Sequence, residues 1–360
     1  MLIILISAFV FSLLISLILT GLVKKLAPTL GLVDHPGGRK THSHPIPQGG
    51  GVAIFLASSI IILLISALAT VYPHWAWAFQ VPDHITTQIE MAAERLPLLL
   101  YITGGGIAIA LLGLLEDISP LSPFLKLISQ IAVISVTVLC SGIRITLFVP
   151  FPWFQILVTV IWITLLVNSF NLLDNMDGWS GTTALVCGFA LLVCTMSTGQ
   201  YFIAGLLLCL SGALLGFLFF NFPPASIFMG DSGSMYTGYM LATASILTTF
   251  IEDPGANSLK PVLVPLIIFA LPLYDTLSVI LIRLIQKRPV FVGDTSHFSH
   301  RLLRAGMPEK HVLLTVSFIT IASSLGAVSA YVTGVWLLII PSIQALCIML
   351  ALMQLELWSR

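Results

Sequence analysis

Long apolar runs constrain this chain more than any other feature. Of its 360 residues, 58% are hydrophobic and only 8% are charged, whereas soluble domains carry about 25% charged residues. A membrane-spanning helix needs about 20 apolar residues. Eleven segments meet this length: 2–23, 50–71, 96–115, 122–141, 152–170, 181–197, 201–220, 233–250, 261–286, 311–331 and 334–355. The sequence therefore predicts an all-α, polytopic membrane protein with about eleven transmembrane helices.

The basic residues predict the orientation of these helices. With the N-terminus outside, 12 of the 15 Lys and Arg residues lie on the cytoplasmic side, and only Arg95, Arg144 and Lys260 lie outside. Cytoplasmic loops are enriched in Lys and Arg, and an odd number of spans puts the C-terminus inside. The 15 acidic residues balance the 15 basic ones, so no net charge favours binding to nucleic acid.

Unusual polar residues concentrate in five segments on the predicted cytoplasmic side. Carboxylates next to apolar helices are costly and tend to mark functional sites, so we expect the five segments to form one site. The segments are 34–51, 115–118, 168–178, 228–234 and 293–304.

The second and third segments supply most of the carboxylates. Glu116 and Asp117 are adjacent, which is useful where a cation or a proton is shared, and Lys126 in the next helix is placed to neutralise them. Asn171, Asp174 and Asp177 have the spacing i, i+3, i+6, which predicts one polar stripe on a helix. Oxygen ligands of this kind suit Mg²⁺ or Mn²⁺ rather than zinc.

The first and fifth segments supply glycines, histidines and cations. The run Gly49–Gly51 opens the second span, and free N–H groups at a helix N-terminus are a binding place for phosphate. His297 and His300 lie beside arginines in the fifth segment, a composition that suits an anionic substrate. The cations of these two segments are Arg39, Lys40, Arg301 and Arg304.

Two further carboxylates have more than one interpretation. Asp231 opens the eighth span, where it is either a metal ligand or the N-cap of the helix. Asp275 lies inside the ninth span after Pro272, which indicates a broken helix and a carboxylate in a cavity wall.

The acidic residues suit a divalent metal ion, and the basic residues suit phosphates. Together they predict phosphoryl transfer to or from an amphiphile at the membrane surface. A secondary transporter would also place carboxylates in broken helices, but the sequence shows no internal repeat and the acids lie in loops. A structural membrane scaffold would not need the acids.

In the order and content of these five segments, the chain resembles the polyprenyl-phosphate N-acetylhexosamine-1-phosphate transferases, the superfamily that includes the peptidoglycan translocase. The resemblance implies transfer of a sugar-1-phosphate from a UDP-sugar to a polyprenyl phosphate, with release of UMP and a requirement for Mg²⁺ or Mn²⁺. It also implies a single domain over residues 1–360, a plasma-membrane location with a cytoplasmic active site, and compatibility with a homodimer.

Residue by residue, the resemblance and the local chemistry assign three groups of candidates. The catalytic candidates are Glu116, Asp117, Asp174, Asp177, His297 and His300. The substrate-binding candidates are Lys40, His42, Lys126, Asn171, Phe228 and Arg301. The metal candidates are Asp231, Asp174 and Asp177.

Two positions depart from the family's pattern. The acidic pair is Glu116-Asp117 rather than Asp-Asp, and Ser299 replaces one histidine of the usual triplet. The first and fifth segments are similar to the branch that uses UDP-N-acetylglucosamine, whereas the translocase's histidine pattern is absent. We therefore expect N-acetylglucosamine-1-phosphate transfer to undecaprenyl phosphate at the start of a cell-surface glycan, with the translocase reaction as the alternative.

Overall fold

The structure is a computed structural model of the 360-residue chain. It describes residues 1–36, 44–75, 83–146, 150–248, 260–287 and 297–333, with residue 289 and isolated positions between 341 and 348. Within this part of the chain most residues are helical.

The helices follow one another with short connections. They are α1 (Leu2–Leu26), α2 (Gly50–Trp75), α3 (Asp83–Glu94), α4 (Leu96–Ile118), α5 (Pro123–Ser141), α6 (Pro152–Leu173), α7 (Trp179–Ser197), α8 (Tyr201–Asn221), α9 (Gly230–Leu247), α10 (Lys260–Ile268), α11 (Ala270–Ile285), α12 (Phe298–Arg304) and α13 (Glu309–Thr333). A 3₁₀ turn, Ala27–Leu30, follows α1, and strands β1 (Val33–Asp34) and β2 (Ile46–Pro47) form an antiparallel pair.

Local sequence explains several of the helix ends. Pro97, Pro123 and Pro152 lie in the first turn of α4, α5 and α6, where the missing N–H would have no partner within the helix. The Ser122 side chain accepts a hydrogen bond from the Leu125 amide and caps α5. Gly142 ends α5 in the left-handed conformation, which glycine adopts without steric cost.

Eight of the helices in the described ranges are long and apolar enough to cross a membrane, and the bent pair α10–α11 raises the number to nine. Helix α9 is less apolar, but almost every residue in it is buried, because it packs against α2, α4, α6, α7 and α8. The chain is an all-α, polytopic membrane protein, as the sequence predicts. The span predicted at 334–355 lies largely outside the described residues, so the count of eleven and the orientation stay predictions.

The predicted ninth span is broken, and the break has a local cause. Helices α10 and α11 meet at Phe269 with a bend of 74°. Pro272 has no N–H to donate to the carbonyl of Ile268 four residues earlier. That carbonyl instead accepts a hydrogen bond from the Cys187 thiol at 3.3 Å. The prediction of a broken helix around Asp275 is confirmed.

Candidate functional site

Three of the five polar segments meet at one end of the helix bundle. The end of α4 carries Glu116 and Asp117, the end of α6 carries Asn171, and α9 begins next to Asp231. Helix α9 packs against both α4 and α6, which brings these residues together. Lys126 lies in the first turn of α5, close to the same point.

Asp231 is the centre of this group. Its carboxylate accepts hydrogen bonds from Lys126 Nζ and, at 2.8 Å, from Asn171 Nδ2. Lys126 Nζ also contacts Asn171 Oδ1 at 3.1 Å and lies 3.9 Å from a carboxylate oxygen of Glu116. The Asp231 side chain keeps 26% of its surface exposed, so a ligand can reach it. The N-cap position is Met229, and the interpretation of Asp231 as the helix cap is wrong.

Asp117 binds the start of α9 through both of its oxygens. Its Oδ1 accepts from the Asp231 amide at 2.8 Å and from Gln48 Nε2 at 2.7 Å, and its Oδ2 accepts from the Ser232 amide at 3.2 Å. The first N–H groups of a helix have no partners within it. A carboxylate at this end also interacts favourably with the positive end of the helix dipole. Asp117 therefore caps α9 from a different helix.

Asp174 adds a fourth carboxylate to the surroundings of Glu116, Asp117 and Asp231. Its pKa is raised well above the ordinary value, first by burial and then by the negative charges of Asp231 and Asp117, against a smaller lowering from the Gly230 amide. A cation bound here would relieve this accumulation of negative charge.

The predicted polar stripe on α6 is wrong beyond Leu173. The helix ends there, Asp174 is the C-cap, and Gly178 adopts a left-handed conformation. Asp177 consequently lies in the following turn, where its carboxylate accepts from the Ala225 amide at 2.7 Å. Only Asn171 keeps the helical position that the spacing predicts.

Glycines allow the backbones of three helices to touch at the site. A Cβ atom on Gly51 would lie 2.0 Å from the Gly233 nitrogen, and one on Gly113 would lie 2.4 Å from the Asp231 carbonyl oxygen. Real Cβ atoms do not approach so closely. The first turn of α9 is therefore held directly against α2 and α4.

The first segment uses its glycine N–H groups differently from the prediction. The Gly50 amide donates to the Phe228 carbonyl at 2.9 Å, and the Gly51 amide donates to the Met229 carbonyl at 2.8 Å. These amides are not available to a phosphate, and the predicted phosphate site at Gly50 and Gly51 is wrong. Phe228, three residues before Asp231 in the chain, is half-buried. The predicted Lys40 and His42 lie outside the described residues.

The fifth segment is anchored by Asp275. His297 Nδ1 lies 2.9 Å from Asp275 Oδ2, and the Phe298 amide donates to Asp275 Oδ1 at 2.7 Å. Asp275 is fully buried and His297 is 4% exposed. On the same helix, α11, Thr276 donates to Ser169 of α6 at 2.9 Å. Helix α11 thus contacts the histidine segment through Asp275, and through Thr276 it contacts α6, which ends near Asp231.

The remaining residues of the fifth segment have structural contacts. Ser299, which replaces a histidine of the family's pattern, donates to Asn175 Oδ1 at 2.6 Å, and Asn175 donates to the Leu172 carbonyl. Arg301 is 6% exposed and donates to Ser278 at 3.0 Å. The ring centroids of His300 and His297 are 6.4 Å apart. The structure therefore joins the fifth segment to the turn after α6.

Sequence reasoning missed three amide side chains that connect the segments. They are Gln48, which reaches Asp117; Asn175, which reaches Ser299; and Asn221, which accepts from the Gly178 amide and donates to the Ile227 carbonyl. Gln48 and Asn175 lie inside the first and third segments, and Asn221 lies between the third and fourth. An uncharged amide in the sequence does not indicate which partner it will meet.

The fit of a divalent cation depends on how many ligands the chain must supply. Among the residues that the structure describes, no three His, Cys, Asp or Glu side chains form a ready cluster for a metal ion. Mg²⁺ is usually held by one or two carboxylates together with substrate phosphates and water. Asp231 and Asp174 are close enough for their charges to interact and fit that requirement, and Asp177, which accepts from the Ala225 amide through Oδ2, also interacts with Asp174.

Comparison with known proteins places the chain among similar enzymes. Residues 99–249 match the model of glycosyl transferase family 4. A probable undecaprenyl-phosphate N-acetylglucosaminyl 1-phosphate transferase of Bacillus subtilis is 32% identical over 92% of this chain and 86% of its own. A decaprenyl-phosphate N-acetylglucosaminephosphotransferase of Mycobacterium tuberculosis is 31% identical over 82% and 75%. An undecaprenyl-phosphate alpha-N-acetylglucosaminyl 1-phosphate transferase of Thermotoga maritima is 28% identical over 87% of both chains.

The matched region contains the second, third and fourth polar segments, whose acids the structure brings together around Asp231. A relative 32% identical over nine-tenths of the chain extends the similarity well beyond that region. The chain belongs to glycosyl transferase family 4.

Proposed function

We propose that this protein transfers N-acetylglucosamine-1-phosphate from UDP-N-acetylglucosamine to undecaprenyl phosphate, which releases UMP and gives undecaprenyl-diphosphate-N-acetylglucosamine. The observation that carries the proposal is the convergence of Asp117, Asp174 and Asp231 with Lys126 at one end of a membrane bundle. The printed names of the similar proteins supply the substrate class. The product is the first lipid-linked intermediate of a cell-surface glycan.

The proposed orientation puts this site at the cytoplasmic face of the plasma membrane. Eleven spans with the N-terminus outside put the ends of α4, α6 and α11 and the starts of α5, α7, α9 and α13 on the same side. The 12 to 3 distribution of Lys and Arg supports that side as the cytoplasm. A tag at the C-terminus should then be labelled only from the cytoplasm, and labelling in intact cells would contradict the orientation. We also propose that residues 1–360 form a single domain.

The proposed cofactor is Mg²⁺, with Mn²⁺ as a substitute. Asp231 would hold the ion, together with Asp174, and the phosphates of the UDP-sugar would supply further oxygens. When bound, the ion supplies neutralisation of the diphosphate charge. Asn171 orients Asp231 through its amide group, at 2.8 Å.

In the proposed reaction, an oxygen of the lipid phosphate attacks the β-phosphorus of the UDP-sugar in line. The new bond forms as the bond from that phosphorus to the bridging oxygen breaks, and UMP leaves with the bridging oxygen. Both reactants are anions, so alignment and charge neutralisation are the main tasks of the site. Lys126, which contacts Asp231, is our candidate for holding a transferring phosphate.

Glu116 is our candidate for accepting the residual proton of the lipid phosphate. Both oxygens of Asp117 already accept hydrogen bonds from α9 or Gln48. Glu116 accepts from the Leu121 amide through one oxygen, and its other oxygen lies 3.9 Å from Lys126. A two-step route through an aspartyl phosphate is the alternative, and it would exchange labelled UMP into UDP-N-acetylglucosamine without any lipid.

The remaining candidates are proposed to contact the substrates. Phe228, three residues before Asp231 in the chain, is our candidate to stack on the uracil ring, and Lys40 and His42 are predicted from the family's first loop. His300 and Arg301 are proposed for phosphate contacts. His297, whose ring is next to that of His300, is oriented by Asp275. A homodimer is compatible with this arrangement and is checked by measuring the mass of the purified protein in detergent.

Purified protein tests the function directly. UMP release is measured with undecaprenyl phosphate, Mg²⁺ and a panel of UDP-sugars. We expect UDP-N-acetylglucosamine to support release without any peptide. Activity confined to UDP-N-acetylmuramoyl-pentapeptide would instead establish the translocase reaction.

A further inference from the structure

We propose that Gln48 is a positioning residue for Asp231. The side chains of Gln48 and Asp117 form a chain of hydrogen bonds that fixes the first turn of α9, and with it the Asp231 carboxylate, against the first segment. The part of this inference that concerns turnover rests on the proposed function. The part that concerns the order of α9 does not.

Gln48 is well placed to act as an anchor because its backbone is itself fixed. Its amide donates to the Leu32 carbonyl at 2.9 Å. It directly follows β2, whose residues pair with Val33 and Asp34 of β1. The side chain is half-buried and donates to Asp117 Oδ1 at 2.7 Å. The side-chain amide of Gln48 therefore contacts α4 from a backbone position that is itself held by hydrogen bonds.

Asp117 transmits this contact to α9. The same Oδ1 accepts from the Asp231 amide at 2.8 Å, and Oδ2 accepts from the Ser232 amide at 3.2 Å. Met229, the N-cap of α9, provides no side-chain hydrogen bond of its own. A helix whose first N–H groups lack a local cap depends on groups from elsewhere, and here they come from Asp117.

The contact between Asp117 and the start of α9 is close as well as polar. Gly230 has a φ of +73°, and a Cβ atom there would lie 2.7 Å from Asp117 Oδ2. Because the backbone and the carboxylate meet without space between them, a rotation of the Asp117 side chain would displace the start of α9. Gln48 restrains that rotation by holding Oδ1.

Gln48 acts through Asp117 and not on the substrate by acid–base chemistry, because an amide side chain donates and accepts hydrogen bonds without titrating. Misplacement of a reacting group by about 1 Å can lower a rate by about 100-fold. We therefore expect that removal of the Gln48 side-chain amide shifts Asp231 and so lowers kcat.

The test compares Gln48→Leu with the wild-type protein in two measurements. Hydrogen exchange followed by mass spectrometry reports the protection of the amides within residues 229–236, and UMP release reports kcat and KM. We expect faster exchange in this segment and a fall in kcat of about tenfold or more. KM for UDP-N-acetylglucosamine should change much less. Gln48→Glu puts a second negative charge against Asp117 and should enlarge both effects.

Ser12→Ala is the matched control. Ser12 Oγ donates to the Cys209 carbonyl at 2.6 Å between α1 and α8, so the substitution removes one buried hydrogen bond away from the site. It should leave both exchange in residues 229–236 and kcat near wild type. A Gln48→Leu protein with unchanged exchange, whatever its kcat, would overturn the proposal, and so would faster exchange with normal kcat. Absence of UMP release by the wild-type protein would contradict the proposed function, while the exchange measurement would still test the hydrogen-bond chain.

Discussion

The acidic group around Asp231 and the histidine segment around His297 are built in different ways. Asp231 and its partners Lys126 and Asn171 lie at the ends of three long helices, and several independent contacts hold them. His297 precedes a helix of seven residues and is held through Asp275. The acidic group is thus fixed by the bundle, whereas the His297 side chain takes its position from one buried carboxylate.

This difference predicts two kinds of mutational effect. Charge-removing substitutions in the acidic group should lower activity while the surrounding helices keep their positions. Substitution of Asp275 should change activity and stability together, because one group orients the histidine and fixes its backbone. The following experiments test that comparison.

The largest effect is expected from Asp231→Asn. The substitution keeps the size of the side chain and removes its charge. Loss of a charge contact to a highly charged transition state costs about 3–4 kcal/mol in other enzymes, which is about 100- to 1000-fold in kcat. The melting temperature should stay near that of the wild type. Glu90→Gln, at an exposed position on the predicted outer side, is the control, and a near-normal kcat for Asp231→Asn at saturating Mg²⁺ would contradict the metal assignment.

Lys126→Met should have the next largest effect. Lys126 contacts both Asp231 and Asn171, and hydrogen bonds to charged groups contribute about 1.5–3 kcal/mol. We expect kcat/KM to fall by about 10- to 150-fold. Lys126→Arg retains the charge and should restore part of the activity. Equal losses in both variants would show that the geometry of the ammonium group matters more than its charge.

Asp275→Asn tests the histidine segment. The amide oxygen can still accept from the Phe298 amide, but the NH₂ group would have to donate to His297 Nδ1 and would therefore favour the other tautomer of the ring. Loss of such an orienting partner commonly costs about 10- to 100-fold in activity. We expect a lower kcat and a lower melting temperature. Asp275→Asn with normal kcat would show that the tautomer of His297 is irrelevant to turnover.

The smallest effects concern packing, and two glycines of α4 provide a matched pair. A Cβ atom on Gly113 would meet the backbone of Asp231, whereas one on Gly104 would meet nothing within 4 Å. Overpacking of this kind costs about 1–3 kcal/mol, so Gly113→Ala should lower the melting temperature and also displace Asp231. Gly104→Ala should be neutral in thermal unfolding. Equal melting temperatures for the two variants would show that α4 and α9 pack less closely than the distances at Gly113 indicate.

The sequence predicted the elements that depend on composition. Apolar runs of sufficient length form helices, and acids next to them lie together at one end of the bundle. Carboxylates next to apolar helices are costly, which is why they could be selected as candidates. Lys126 and Asp231 could be selected from sequence for that reason. Their mutual contact depends on how α5 and α9 pack, which the order of residues along the chain does not reveal.

The errors have equally specific causes. The stripe through Asp174 and Asp177 required α6 to continue, but the helix ends at Leu173. Gly178 did not indicate this end, because it lies five residues beyond it as the N-cap of α7. The phosphate site at Gly50 and Gly51 required free N–H groups, but carbonyls from a segment almost 180 residues away accept them. Gln48 was missed because its importance comes from Asp117, which only the fold brings near.

The close backbone contacts of Gly51, Gly113 and Gly233 have a consequence for sequence variation. Each of these positions would place a Cβ atom within 2.4 Å of another atom, so we expect variants that keep this packing to retain glycine there. A change at one of them requires helices α2, α4 and α9 to separate. These three glycines, which carry no functional group, are therefore the residues by which homologous chains with the same arrangement of α2, α4 and α9 can be recognised.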